Sequence, residues 1–210
     1  MPAARVPSTL SPAASRSPAV PARYDAVAIT LHWLIAAALL AQIVLGWVMQ
    51  EIPKQPPGPR AFWFNTHKSV GLTLGVLILL RLAWRLTHRP PPLPDSVPRW
   101  QAVGAPLMHR LLYVVMLALP LSGYVGSAYS GRPVRYFGIT LPQWAAQNDA
   151  LKDALSTVHS VCGWLLIALL LGHLAAAFGH LATRDGIFRR MWPAARDTPV
   201  PARHPSLERR

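Results

Sequence analysis

A bundle of four transmembrane helices is the fold class this sequence predicts, and three observations carry the prediction. Four apolar stretches stand out: Ile29–Met49, Thr66–Leu86, Leu107–Tyr129 and Val158–Leu181. Each approaches the ~20 residues a helix needs to cross ~30 Å of hydrocarbon, where every backbone polar group must be bonded internally. No stretch alternates with period two over the length of a membrane strand, which speaks against a β-barrel. The basic residues are also unevenly divided. With the N-terminus inside, fifteen of the 21 Lys and Arg fall on the cytoplasmic side and six on the other. That is the positive-inside pattern, with both termini cytoplasmic.

The elements follow in order. Residues 1–23 are rich in Pro, Ala and Ser and read as a disordered cytoplasmic tail. A cleaved signal is the weaker reading, because Ile29–Met49 is long for a signal core and no small-residue cleavage site follows it. The loop 50–65 holds Pro53, Pro56, Pro57 and Pro59, which predicts extended, non-helical chain. The cytoplasmic loop 87–106 is again proline-rich. Inside the third stretch Pro120 predicts a kink, and Gly123 and Gly126 predict close helix packing. The long outer loop 130–157 predicts a short interfacial helix over Gln143–Ser156 carrying Trp144. Trp33, Trp47, Trp63, Trp84, Trp144 and Trp192 fall near helix ends or in loops, as an aromatic belt would. Residues 194–210 read as a basic cytoplasmic tail, leaving 24–193 as one membrane domain.

Composition removes several function classes. The net charge of +13 is explained by topology, so no nucleic-acid partner is expected. Cys162 is the lone cysteine and lies in an apolar stretch, so this chain by itself offers no disulfide, no iron–sulfur cluster and no covalent haem attachment. It reads as a small packing residue. Asp and Glu all lie outside the apolar cores, so a proton-coupled transporter would lack its usual relay.

The histidines are the distinctive feature. A polar side chain within the membrane is costly and marks function by default. His159 and His173 are 14 residues apart, so on a helix they share one face about 21 Å apart along the axis. His159 and His67 both open their stretches on the outer side; His32 and His173 both lie towards the cytoplasm. The depths therefore pair His67 with His159 and His32 with His173. Two such pairs are what two haems held between helices would need, each iron taking an imidazole on either side. His180 also lies near the His173 face and could replace it at the inner iron, or contact a haem propionate or a quinone. His109 reads as an interfacial residue. Gly71 and Gly163, each four residues after an outer histidine, could leave room for a flat macrocycle or serve close packing. Arg81 and Arg85, one turn apart, could pair with propionates or a quinone carbonyl, or anchor the topology.

These residues resemble the bacterial cytochrome b561 family. The resemblance rests on Leu31-His32-Trp33, Thr66-His67-Lys68-Ser69-Val70-Gly71, Leu79–Arg85, Ala118–Gly123 and Gly131–Pro142. The fourth stretch adds His159, Gly163-Trp164, His173, Ala175–Ala177 and His180. It spans about residues 24–193. It implies a four-helix bacterial inner-membrane protein with two haem b groups, axial ligands at His32, His67, His159 and His173, and electron exchange with the quinone pool. One branch of the family oxidises superoxide at the outer face and reduces ubiquinone, and Lys68, Arg132 and Arg135 could steer such an anion. Solvated loop charge is the plainer reading of those three. The expected partners are membrane lipid, a quinone and a periplasmic one-electron donor. Related cytochromes serve as haem-bearing membrane anchors of hydrogenases and formate dehydrogenases, which is the alternative role.

Overall fold

The computed structural model describes residues 23–56, 58–94 and 97–193. Four long helices carry the fold: α1 (Ala26–Glu51), α2 (Pro59–Thr87), α3 (Arg99–Ala128) and α4 (Asp149–Thr183). Each is long and apolar enough to cross a membrane, so the chain forms a four-helix transmembrane bundle. The expected tails lie outside the described residues except for Arg23.

The helices overrun the apolar stretches, for local reasons. α2 begins at Pro59, within the loop expected to be non-helical. Proline suits the first helical position because its missing N–H would have no helical partner there. α3 begins eight residues before Leu107 and carries Pro106 inside it as well as Pro120. The expected interfacial helix Gln143–Ser156 is not a separate element. Trp144 sits in non-helical chain, where the Gln143 amide donates to the carbonyls of Ala128 and Ala145. The helix starts only at Asp149, where the Asn148 side chain accepts from the Leu151 N–H.

α1 packs on α2, α2 on α3, and α3 on α4, while α4 has no comparable backbone packing against α1 or α2. One apolar cluster joins all four helices through Ile35, Leu39, Leu74, Ile78, Leu112, Val115 and Leu166. Gly75 admits the Pro120 ring; a Cβ there would lie 3.2 Å from its Cγ. Gly126 faces Leu155 of α4 as closely, at 3.1 Å. These glycines let α3 approach both neighbours. Cys162 is half-buried against the same cluster, as a packing residue would be.

Both ends of the bundle are closed by short segments. At the end holding the termini, a 3-10 turn (Phe188–Arg190) folds back after α4. Its Arg190 is 4% exposed. The guanidinium donates to the carbonyls of Pro91 and Pro92 and lies over the Tyr24 ring, while the Arg190 carbonyl accepts from Tyr24 N–H. The Trp33 indole donates to the Met191 carbonyl at 2.7 Å, and Arg23 donates to the carbonyl of Trp192. The turn thus clasps the start of α1 to the α2–α3 loop.

At the other end, β1 (Arg135–Tyr136) and β2 (Ile139–Thr140) form an antiparallel hairpin, an element the sequence reading lacked. Phe137 and Gly138 have φ of 45° and 91°, the positive pair a tight primed turn requires. Phe137 tolerates this because its N–H donates to Ser69 Oγ at 2.9 Å. Ser69 is 1% exposed and also donates to the Asn65 and Arg135 carbonyls, and Tyr136 Oη bonds Thr73 Oγ1. The hairpin is thereby fastened to α2.

Arg190→Ala leaves the carbonyls of Pro91 and Pro92 without their charged donor, a loss of about 2 kcal/mol. It should lower the thermal midpoint of the detergent-solubilised protein by roughly 5 °C. Arg189→Ala, at an exposed neighbouring position, should leave it unchanged.

Candidate functional site

α4 supplies two histidines to one face, and each meets a partner. The rings of His67 and His159 lie with centroids 6.2 Å apart at an interplanar angle of 75°. Those of His32 and His173 are also 6.2 Å apart, at 69°. The structure therefore brings together the two pairs expected from depth. All four rings are half-buried. Both pairs bridge α4 to the helices with which its backbone has no comparable packing, α2 in one case and α1 in the other.

The His159 ring is fixed from behind. Its Nδ1 lies 2.9 Å from the Leu119 carbonyl and 3.3 Å from Ser122 Oγ. A carbonyl only accepts, so Nδ1 carries the proton and Nε2 is left as the lone-pair nitrogen. Donation of the second ring N–H to a carbonyl is the usual support of a metal-bound imidazole. Gly123 makes the approach possible, since a Cβ there would stand 3.2 Å from His159 Cε1 and Nδ1. His67 faces Gly46, at 3.4 Å by the same measure. Gln42 donates to the His67 carbonyl, and both Gln42 Oε1 and His67 Nδ1 are buried without a hydrogen-bond partner among the described residues. Orphaned polar atoms in a membrane interior mark the site as unusual.

Two imidazoles sharing a metal at nitrogen–metal distances of about 2.0 Å would hold their ring centroids roughly 6 Å apart. The observed 6.2 Å in each pair fits one flat metallomacrocycle per pair. Among the described residues no group of three or more His, Cys, Asp or Glu is arranged to hold a metal ion. Gly163 has nothing within 4 Å of a Cβ, whereas Gly71 faces the Gln42 amide at 3.2 Å. Of the two glycines singled out in the sequence, Gly163 borders open space and Gly71 is a packing contact.

His109 was not expected here. Its ring lies 5.6 Å from that of His173, where α3 packs against α4. His109 and Gly123 are 14 residues apart, the same interval as His173 and His159, and they meet those two in antiparallel order. That spacing was the signal. Trp33 adds an edge contact on His32, with centroids 5.4 Å apart.

Arg81 joins the inner pair. It donates through Nε to Tyr113 Oη at 3.1 Å and through Nη1 to the Ala28 carbonyl at 2.9 Å. It bears electrostatically on His32, His173 and His109, and Arg85 bears on His109. His180 is turned to Asp185, whose Oδ2 is 2.6 Å from Nδ1. Burial alone would raise the Asp185 carboxyl, but hydrogen bonds from His180, the Ile187 N–H and Thr183 hold it below the usual carboxylate range. At the opposite end Lys68 and Arg132 lie within electrostatic reach of each other.

Comparison with known proteins agrees with this arrangement. The family described as prokaryotic cytochrome b561 matches residues 23–194. Cytochrome b561 homolog 1 of Escherichia coli K12 is 31% identical over 180 residues, covering 81% of this chain and 97% of that protein. Cytochrome b561 homolog 2 of the same strain is 29% identical, covering 81% and 92%. A protein of Yersinia pestis named probable superoxide oxidase CybB is 27% identical, covering 83% and 98%. Family membership carries with it haem b binding and membrane electron transport, and with the match spanning the whole bundle, the chain belongs to the prokaryotic cytochrome b561 family.

Proposed function

We propose that this chain is a dihaem b cytochrome of the bacterial inner membrane. It carries single electrons between a donor at the periplasmic face and the quinone pool, with ubiquinone as acceptor. The observation that carries this reading is the two imidazole pairs, each 6.2 Å between centroids, on one face of α4 and about 21 Å apart along it. His67 and His159 would hold the outer haem, His32 and His173 the inner one. Haem b bound between two imidazoles supplies a one-electron iron centre with no open coordination position.

The end with the termini is proposed as cytoplasmic, since fifteen of the 21 basic residues fall there. The remaining roles belong to side chains. Leu119 and Ser122 hold the His159 ring through Nδ1, which leaves Nε2 as the nitrogen that would bind iron. Arg81 holds positive charge beside the inner pair, where it suits a propionate or a quinone carbonyl. His180, held by Asp185 at the end of α4, is a candidate proton donor to a quinone there.

Superoxide is the donor this reading favours. It gives up one electron and leaves as O₂, and two such electrons with two protons convert ubiquinone to ubiquinol. Lys68, Arg132 and Arg135 supply the positive charge that would attract it, and the relative in Yersinia pestis carries that activity in its name. The second reading, a haem-bearing anchor of a larger respiratory complex such as a hydrogenase or formate dehydrogenase, draws on the apolar tip of the outer hairpin. Phe137 and Ile139 there are 62% and 67% exposed.

The assay is ubiquinone reduction by the protein purified alone, with superoxide generated enzymatically. Superoxide-dependent ubiquinol formation supports the first reading. Inertness, together with copurification of an iron–sulfur subunit, would transfer the role to the second. His67→Ala and His173→Ala should each remove one haem, and a different one, as seen in the α-band and in redox titration. Gly123→Leu should disturb only the component lost in His67→Ala, because it displaces the His159 ring.

A further inference from the structure

A cleft of about 280 Å³ opens at the end of the bundle that holds the termini, between the start of α1 and the end of α2. Four arginines line it, Arg23, Arg81, Arg85 and Arg89, and none of the four paired histidines does. Its acidic residue, Asp25, is already engaged. One carboxylate oxygen accepts from the Ala28 N–H, and both lie within reach of the Trp84 indole N–H, at 3.1 and 3.2 Å. Burial pushes the Asp25 carboxyl up, but these bonds outweigh it and keep it below the usual range, so it stays charged.

The arginines divide into two kinds. Arg81 and Arg23 spend their donors on Tyr113, Ala28 and Trp192. Arg85 and Arg89 make no hydrogen bond or ion pair among the described residues. Arg85 is half-buried, and Arg89 lies two residues beyond the end of α2. Trp84, stacked on His88 at 3.7 Å and 7°, forms a flat wall. On α2, Leu79 and Leu86 stand seven residues apart, on one stripe of the helix, and are 55% and 77% exposed. Guanidinium forks unpaired among the described residues thus sit at the end of a transmembrane helix, next to apolar surface able to take acyl chains.

We propose that this cleft binds the phosphate of one anionic glycerophospholipid, with Arg85 and Arg89 as its principal donors. A guanidinium presents paired N–H groups that match phosphate oxygens. Basic pockets between transmembrane helices on the cytoplasmic side suit anionic headgroups. The lipid's chains run along α2 over Leu79 and Leu86. The inference rests on the membrane-spanning fold and does not depend on the haem assignment.

The test is native mass spectrometry of the haem-loaded protein, titrated with phosphatidylglycerol or phosphatidylcholine. One phosphatidylglycerol should survive activation that strips phosphatidylcholine, and millimolar inorganic phosphate should not displace it. Arg89→Gln should weaken retention several-fold, and Arg85→Gln with Arg89→Gln on the order of 10-fold or more. Equal retention of the two lipids, displacement by inorganic phosphate, or unchanged retention in the double variant would each overturn the proposal. So would loss of haem from the double variant with lipid retention intact, which would give the arginines to the cofactor.

Discussion

An imidazole inside hydrocarbon needs something to do with both of its nitrogens, and the bundle answers that need along one face of α4. His159 and His173 stand 14 residues apart there, so a single helix sets both the angular register and the depth of the two rings. His67 and Gly123 meet the upper ring; His32, His109 and Arg81 gather at the lower one. Where α4 stands off from α1 and α2, pairs of rings 6.2 Å apart span the gap, together with the contact of Trp47 on Trp164 and Leu166 in the apolar cluster. α3 approaches its neighbours closely because Gly75 of α2 and Gly123 and Gly126 of α3 itself remove the side chains that would hold them away.

The closures at the two ends follow from this open interior. A bundle joined by one small apolar cluster gains little from packing alone, so its ends are tied by hydrogen bonds to backbone carbonyls. Arg190 does this at one end, reaching the α2–α3 loop and carrying Trp33 and Tyr24 into the same clasp. Ser69 does it at the other, two residues from His67, by fastening the hairpin through Phe137 and Arg135. Each closure lies beside one histidine pair, so fastening the ends also orients the rings.

The spans and the histidine pairs were legible in the sequence because both rest on one-dimensional regularities, apolar run length and helical periodicity. His32 with His173 and His67 with His159 needed only residue counting and the direction of each helix. Helix ends were less legible, because they depend on caps and not on hydropathy: Pro59 starts α2 inside a proline-rich loop, and Asn148 delays α4 past Trp144. The contact of His109 with His173 was not legible either, because it depends on how α3 is rotated against α4. The hairpin escaped notice because its turn uses Phe137 at positive φ, a position where only the contact with Ser69, 68 residues away, makes phenylalanine acceptable. Gly71 illustrates the converse. It stands at the right interval from His67, yet its neighbour is Gln42, on a helix whose rotation the sequence does not reveal.

Family membership, the paired donors and the supported tautomer of His159 converge on haem as the group that satisfies the interior. The most direct measurement is a reduced-minus-oxidised visible spectrum with a pyridine haemochrome count on the protein purified alone after expression with ample haem. The account predicts two low-spin b-type haems per chain. One haem per chain, or none, would contradict it and return at least one histidine pair to the role of helix packing.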